Sequence, residues 1–196
     1  MLYAKRSVLK GLSKKVGILF SKISLSPNQW TLLSLVLVTI TFYFLINKNF
    51  LISAIIFAFT AAIDMIDGAV ARITNKVTIF GAYLDTVIDR LIEFEVILGF
   101  LIVGYPDFII SINIWLFFLI FGSMMVTYTK ASAFEKGLVK KELKGGILEH
   151  PERLLLFLFT ILISNYSLVY ASYLIVITTI LTNITAIQRF SIAIKR

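Results

Sequence analysis

Four carboxylates, Asp64, Asp67, Asp85 and Asp89, fall within 26 residues of a chain that otherwise reads as membrane, with Arg72 between the two pairs. The sequence is 59% hydrophobic and only 15% charged, which is the composition of a bilayer-embedded chain rather than of a soluble core. A carboxylate at mid-bilayer costs about 3 kcal/mol on insertion scales, so an unpaired one is rarely tolerated. Four so close together need a common partner. Any fold available to this chain must bring them to one place and give that place its counter-charge.

The spacing tells how. Asp64, Asp67, Gly68, Ala71 and Arg72 follow i, i+3, i+4, i+7, i+8, one face of a helix. Gly81, Asp85 and Asp89 follow i, i+4, i+8, again one face. Two helices joined by a short turn therefore aim all four carboxylates at one point. Gly68 and Ala71 lie on that face, where small side chains allow close approach of a ligand or another helix. Carboxylate oxygens at this density suit a hard divalent cation such as Mg2+ or Mn2+. Such a cation beside Arg72 suits a diphosphate.

The run Asp64-x2-Asp67-Gly68-x2-Ala71-Arg72-x8-Gly81-x3-Asp85-x3-Asp89 resembles the signature of the CDP-alcohol phosphotransferase family, with all eight fixed residues and their spacing matching. The resemblance implies a homodimeric membrane enzyme that moves a phosphoalcohol from a CDP-linked donor onto a second alcohol and releases CMP. It further implies that Asp64, Asp67, Asp85 and Asp89 hold Mg2+ or Mn2+. Asp67, Gly68, Ala71, Arg72 and Gly81 would contact the CDP moiety, and Asp89 would also be the general base for the acceptor hydroxyl. Two readings come from other classes. A cation channel or transporter would use the aspartates as its ion site but has no need of Arg72 and releases no CMP. A scaffold would tolerate loss of each aspartate singly.

Along the chain, six apolar stretches run over 29–47, 50–72, 79–104, 108–131, 152–165 and 167–188. Most approach the roughly 20 residues that cross the hydrocarbon layer; the fifth is short. The expected architecture is an all-α integral membrane protein with six transmembrane helices in one domain, 26–196. An N-terminal cytoplasmic interfacial amphipathic helix over 1–25 precedes it. That first segment carries Lys5, Arg6, Lys10, Lys14, Lys15 and Lys22 throughout, with no apolar core or cleavage site of a signal peptide. Its Leu9, Leu12, Val16, Leu19 and Ile23 fit a helix lying on an anionic membrane surface, and equally one packed on the protein itself. Ser26-Pro27-Asn28 breaks it and starts the next helix.

A net charge of +8 would suggest nucleic acid in a soluble protein. Here the basic residues gather in the N-terminal arm, the 73–78 turn, the 132–151 loop and the C-terminal tail, while the alternate turns hold only Lys48. By the positive-inside rule both termini are cytoplasmic and the aspartates lie in the cytoplasmic half of the cell membrane, so no nucleic-acid partner is expected. The absence of cysteine excludes disulfides and thiolate metal sites.

A second basic constellation follows. Lys130 ends the fourth stretch, Arg153 begins the fifth and Arg189 ends the sixth, all on the face of the aspartates. Such a trio can bind a phosphate, and can equally be three snorkelling positive-inside residues. The segment Gly145-Gly-Ile-Leu-Glu-His-Pro-Glu-Arg153 resembles the inositol-phosphate-using branch of the same family, the phosphatidylinositol and archaetidylinositol phosphate synthases. That resemblance implies inositol 1-phosphate as acceptor, held by Lys130, Arg153 and Arg189, and CDP-diacylglycerol or CDP-archaeol as donor. Glycerol 3-phosphate or serine as acceptor, or CDP-inositol as donor, are the alternatives within the family. His150 departs from the branch, where a basic or small residue more often stands, and reads as a loop or capping residue. Glu93 continues the 81-85-89 face one turn deeper, as a support for the site or as the partner of a basic group. Structural pairing is expected of Glu93, Arg90 and Glu95.

Overall fold

The computed structural model describes residues 15–140, 143 and 145–195. It opens on a helical stretch, α1, over 15–20. Six longer helices follow: α2 (Pro27–Ile46), α3 (Phe50–Ile73), α4 (Ile79–Val103), α5 (Ile112–Glu135), α6 (His150–Ser164) and α7 (Leu168–Ile194). Among the described residues there is no strand, only an isolated bridge between Phe108 and Ile110. Each apolar stretch of the sequence has become a helix, which satisfies its backbone groups within the segment as hydrocarbon demands.

Local chemistry sets the helix ends. Ser26 accepts from the Gln29 backbone N–H at 3.4 Å while its own N–H donates to Gln29 Oε1 at 2.7 Å, a capping box with Pro27 in the first turn. Thr78 caps α4 by accepting from Gly81 N–H at 2.9 Å. α4 stops at Gly104, whose φ of 72° is left-handed and costs a glycine nothing. A second capping box, Glu149 with Glu152, opens α6 over Pro151.

α2 packs against α3 and α4, α5 against α7 and α4, and α6 against α7 and α3, so α6 and the α4–α5 contact join the two halves. The shared core contains Val38, Leu45, Phe57, Ile92, Phe100, Leu119, Phe157 and Ile175. Between helices lie buried hydroxyls: Thr60, Thr160, Thr178 and Thr185 each donate to a carbonyl one turn back. Such small polar residues permit close helix approach without an unsatisfied group. The outer surface is apolar instead, with Val36, Phe59, Phe117, Phe121 and Ile187 exposed. That inversion fits a lipid surround.

Four helices, α2, α3, α5 and α7, are long and apolar enough to cross a membrane. α4 has 25 residues but carries Asp85, Asp89, Arg90, Glu93 and Glu95, and α6 has only 15 residues. Most of the expected 1–25 helix, residues 1–14, lies outside the described residues. Its described end packs on the protein: Val16 and Phe20 lie against the Trp30, Ile63, Ile66 and Val70 cluster, with Phe20 edge-on to Trp30 at 5.6 Å.

Candidate active site

The C-terminal turns of α3, the first turns of α4 and the start of α2 enclose a cleft of about 280 Å3. Asp67, Gly68, Ala71, Arg72, Gly81 and Asp85 all line it. Asp67 is 5% exposed and fixed from two sides. Its Oδ2 accepts from Thr31 Oγ1 of α2 at 2.6 Å, and its Oδ1 accepts from the Gly68 N–H. The two glycines shape the opening. A Cβ on Gly81 would meet Asn28 Oδ1 and Thr78 Oγ1, each at 3.0 Å, and one on Gly68 would lie 3.3 Å from the Arg72 guanidinium. The cleft is thus acidic at its base, with Arg72 and Lys76 on its walls. Pro27, Asn28, Thr31 and Thr78 also line it. The aspartate spacing carried no sign of them, although the Pro27-Asn28 pair stood out as a helix start.

A second cavity of about 240 Å3 lies farther along α4. Asp89, Lys130, Arg153 and Arg189 share its wall, so three basic side chains from α5, α6 and α7 meet one aspartate from α4. Arg153 and Arg189 are both engaged with the protein. Arg153, 0% exposed, sends Nε and Nη2 to Glu93 Oε1 at 3.0 and 2.7 Å and Nη1 to the Leu148 carbonyl at 3.1 Å. Arg189 donates to the carbonyls of Val126 and Gly145 at 3.0 and 3.2 Å and to Glu149 Oε1 at 3.3 Å.

Glu93 is the hub. At 1% exposure its Oε1 receives Arg153 and lies 2.6 Å from His150 Nδ1, while its Oε2 receives Arg90 Nη1 at 2.9 Å and the Ser123 hydroxyl. A carboxylate this buried is held only because its lone pairs are met by charged donors. Sequence placed Glu93 on the aspartate face but could not name its partners, which lie 57 and 60 residues on. Arg90 also comes within 3.8 Å of Asp89 Oδ2. Glu95 points away and receives Thr39 of α2 at 3.2 Å.

His150 departs from the loop or capping role expected of it. Glu149 caps α6, and the His150 ring, in the first turn, reaches in among the carboxylates. Its Nε2 lies 3.4 Å from Asp89 Oδ1 and 3.9 Å from Asp64 Oδ2. The lone histidine of the sequence gave no periodic signal for this, because the segment before α6 decides where the ring lands. Donor atoms of Asp64, Asp89 and His150 all lie within 4.8 Å of one another. Asp67 and Asp85 stand within electrostatic reach of Asp64. The donor set fits a divalent cation: oxygen-rich, anionic, and containing a buried Nε2 with no hydrogen-bond partner.

The family model for CDP-alcohol phosphatidyltransferases matches residues 24–185. The chain is 31% identical over 196 residues to an archaetidylinositol phosphate synthase of Pyrococcus horikoshii, covering 100% of this chain and 98% of the relative. It is 33% identical over 162 residues to a phosphatidylinositol phosphate synthase of Corynebacterium glutamicum, covering 80% of this chain and 71% of the relative. Among solved structures, phosphatidylinositol phosphate synthase of Mycobacterium tuberculosis with CDP-DAG bound superposes with a TM-score of 0.78 at 26% identity, covering 92% of each chain. The same protein has been solved in complex with manganese and citrate, with a TM-score of 0.77, covering 92% of this chain and 88% of that one.

Proposed function

Since this chain belongs to the CDP-alcohol phosphatidyltransferase family, we propose that it transfers the phospholipid moiety of CDP-archaeol or CDP-diacylglycerol to inositol 1-phosphate and releases CMP. One observation carries this reading: a carboxylate cleft and a cation-lined cavity lie side by side and are bridged by the aspartates of α4. The synthase relatives that match along most of the chain support the choice of acceptor.

Asp64, Asp67, Asp85 and Asp89 would hold the Mg2+ or Mn2+. When bound, the metal supplies charge neutralisation of the diphosphate and of the departing CMP. Gly68, Ala71 and Gly81 keep the cleft wall low enough for the CDP moiety, and Arg72 pairs with its phosphates. Thr31 fixes the rotamer of Asp67. Lys130, Arg153 and Arg189 orient the acceptor phosphate and so bring its hydroxyl to Asp89. The hydroxyl oxygen bonds to the β-phosphorus, the bond from that phosphorus to the bridging oxygen breaks, and CMP leaves with that oxygen. Asp89 takes the hydroxyl proton.

The same reading makes the bundle a single domain of six spans, homodimeric, with both termini and the site on the cytoplasmic side of the cell membrane. The distribution of Lys and Arg supports that orientation. CMP release from detergent-purified protein, with a CDP-lipid and Mg2+ or Mn2+, tests the function. We expect release with inositol 1-phosphate and little with glycerol 3-phosphate or serine. Release with either of the others alone would overturn the acceptor, and no release with any acceptor would overturn the reaction.

A further inference from the structure

We infer that His150 is a ligand of the metal centre, completing with Asp64 and Asp89 a site of mixed nitrogen and oxygen donors. The inference rests on the metal-dependent reading above and assigns one more residue to its metal.

The argument begins at the far side of the ring. His150 Nδ1 stands 2.6 Å from Glu93 Oε1, a separation that requires a proton between a nitrogen and a carboxylate oxygen. Glu93 is ionised among Arg153, Arg90 and Ser123, and brings no proton of its own. Nδ1 therefore carries the hydrogen. Arg90 Nη2 also approaches Nδ1, at 2.9 Å, but a nitrogen donating to a carboxylate has no lone pair left to accept with. A neutral ring protonated on Nδ1 presents a bare lone pair at Nε2.

Nε2 faces two carboxylates. Nε2 is buried and without a hydrogen-bond partner. Its distance to Asp89 Oδ1, 3.4 Å, exceeds that of an ordinary N–H···O bond, about 2.7–3.2 Å. It matches instead two donor atoms sharing one cation at bonds of about 2.1 Å, which sit about 3.0–3.4 Å apart. Asp64 Oδ2, at 3.9 Å, closes on the same point with a small side-chain shift. A nitrogen and two carboxylate oxygens directed at one another need a positive centre between them, a proton or a cation, and the donor spacing fits the cation. Glu93 behind Nδ1 completes the carboxylate–histidine–metal arrangement that fixes a ligand's tautomer and orientation. The fold supports the placement, since the Glu149–Glu152 capping box and Pro151 fix the first turn of α6, from which the ring projects.

The sequence contains one histidine, so the test needs no assignment. Tag-free protein in detergent is loaded with Mn2+, and electron spin-echo modulation is recorded with natural-abundance and with 15N-labelled histidine. We expect 14N modulation of a directly bound imidazole, replaced by the 15N pattern on labelling. Loss of the modulation in His150→Gln should accompany Mn2+ affinity at least about 10-fold weaker, since even residues behind the ligands are worth that much. The wild-type spectrum stands whether or not the variant folds. Bound Mn2+ without histidine coupling would overturn the assignment and leave the proposed reaction intact, with Nε2 facing Asp89 through a proton instead. No bound Mn2+ at all would overturn both.

Discussion

Asp89 lines the cation-walled cavity and shares a cluster with Asp64 and His150. An asparagine there keeps an oxygen for the metal but cannot take up the acceptor proton. Asp89→Asn should therefore lower turnover by about 10²-fold or more while leaving CDP-lipid binding within a few fold, read by single-turnover CMP release and equilibrium binding. Normal turnover in that variant removes Asp89 as base. The three cations of the proposed acceptor pocket are not equivalent. Arg153 is the buried partner of Glu93, so Arg153→Ala strands a carboxylate in the core and should cost about 3–5 kcal/mol of stability as well as acceptor binding. Lys130→Ala should raise the KM for inositol 1-phosphate about 10-fold, read by CMP release at varied acceptor concentration. Acceptor kinetics that stay the same in both variants would sink the phosphate pocket. The sequence displayed the eight motif residues because their spacing is local and their charge is conspicuous in an apolar chain. It hid the Glu93–His150–Arg153 contacts, because helical periodicity fixes a residue's face but not which distant helix that face meets.

Helix packing depends on close approach at small residues. Gly122 of α5 faces Asn183 of α7, where an added Cβ would lie 2.8 Å from Asn183 Nδ2. Asn183 in turn donates to the Phe118 carbonyl at 2.9 Å, tying the two helices together. Gly122→Leu should push them apart and cost about 1–3 kcal/mol, measured by thermal unfolding in detergent. An unchanged midpoint would mean that the pair carries no packing energy. Because α7 brings Arg189 to the proposed acceptor cavity, the same variant should weaken acceptor use more than donor binding. Helix limits were legible within a few residues wherever the sequence punctuates them, as at Ser26-Pro27, Thr78 and Gly104. The start of α5 was less so. The expected stretch began at 108, whereas the chain takes an extended turn through 108–110 and enters the helix at Ile112, whose N–H is met by Asp107. Apolar composition alone does not distinguish those residues from helix.

Across the whole molecule, the distribution of basic residues implies that the 136–149 segment and the 165–167 turn face opposite sides of the membrane. The chain contains no cysteine, so single introduced thiols report cleanly. In intact cells, Tyr166→Cys should react with a membrane-impermeant maleimide, and Lys136→Cys should react only after permeabilisation. The reverse pattern would invert the topology. α6 and α7 share the short 165–167 turn and run antiparallel from it, yet one has 15 residues and the other 27. At 1.5 Å per residue α7 continues about 18 Å beyond the level of His150. The hollow that the short helix leaves is filled by the strand of chain before it, where Leu148 N–H is received by Thr185 and Ile147 N–H by Gln188 of α7. Irregular backbone at that depth persists only where protein or water covers it. Non-helical chain therefore replaces a last helical turn beside the second cavity, and on the proposed reading the acceptor would meet the donor along this irregular wall rather than between two regular helices.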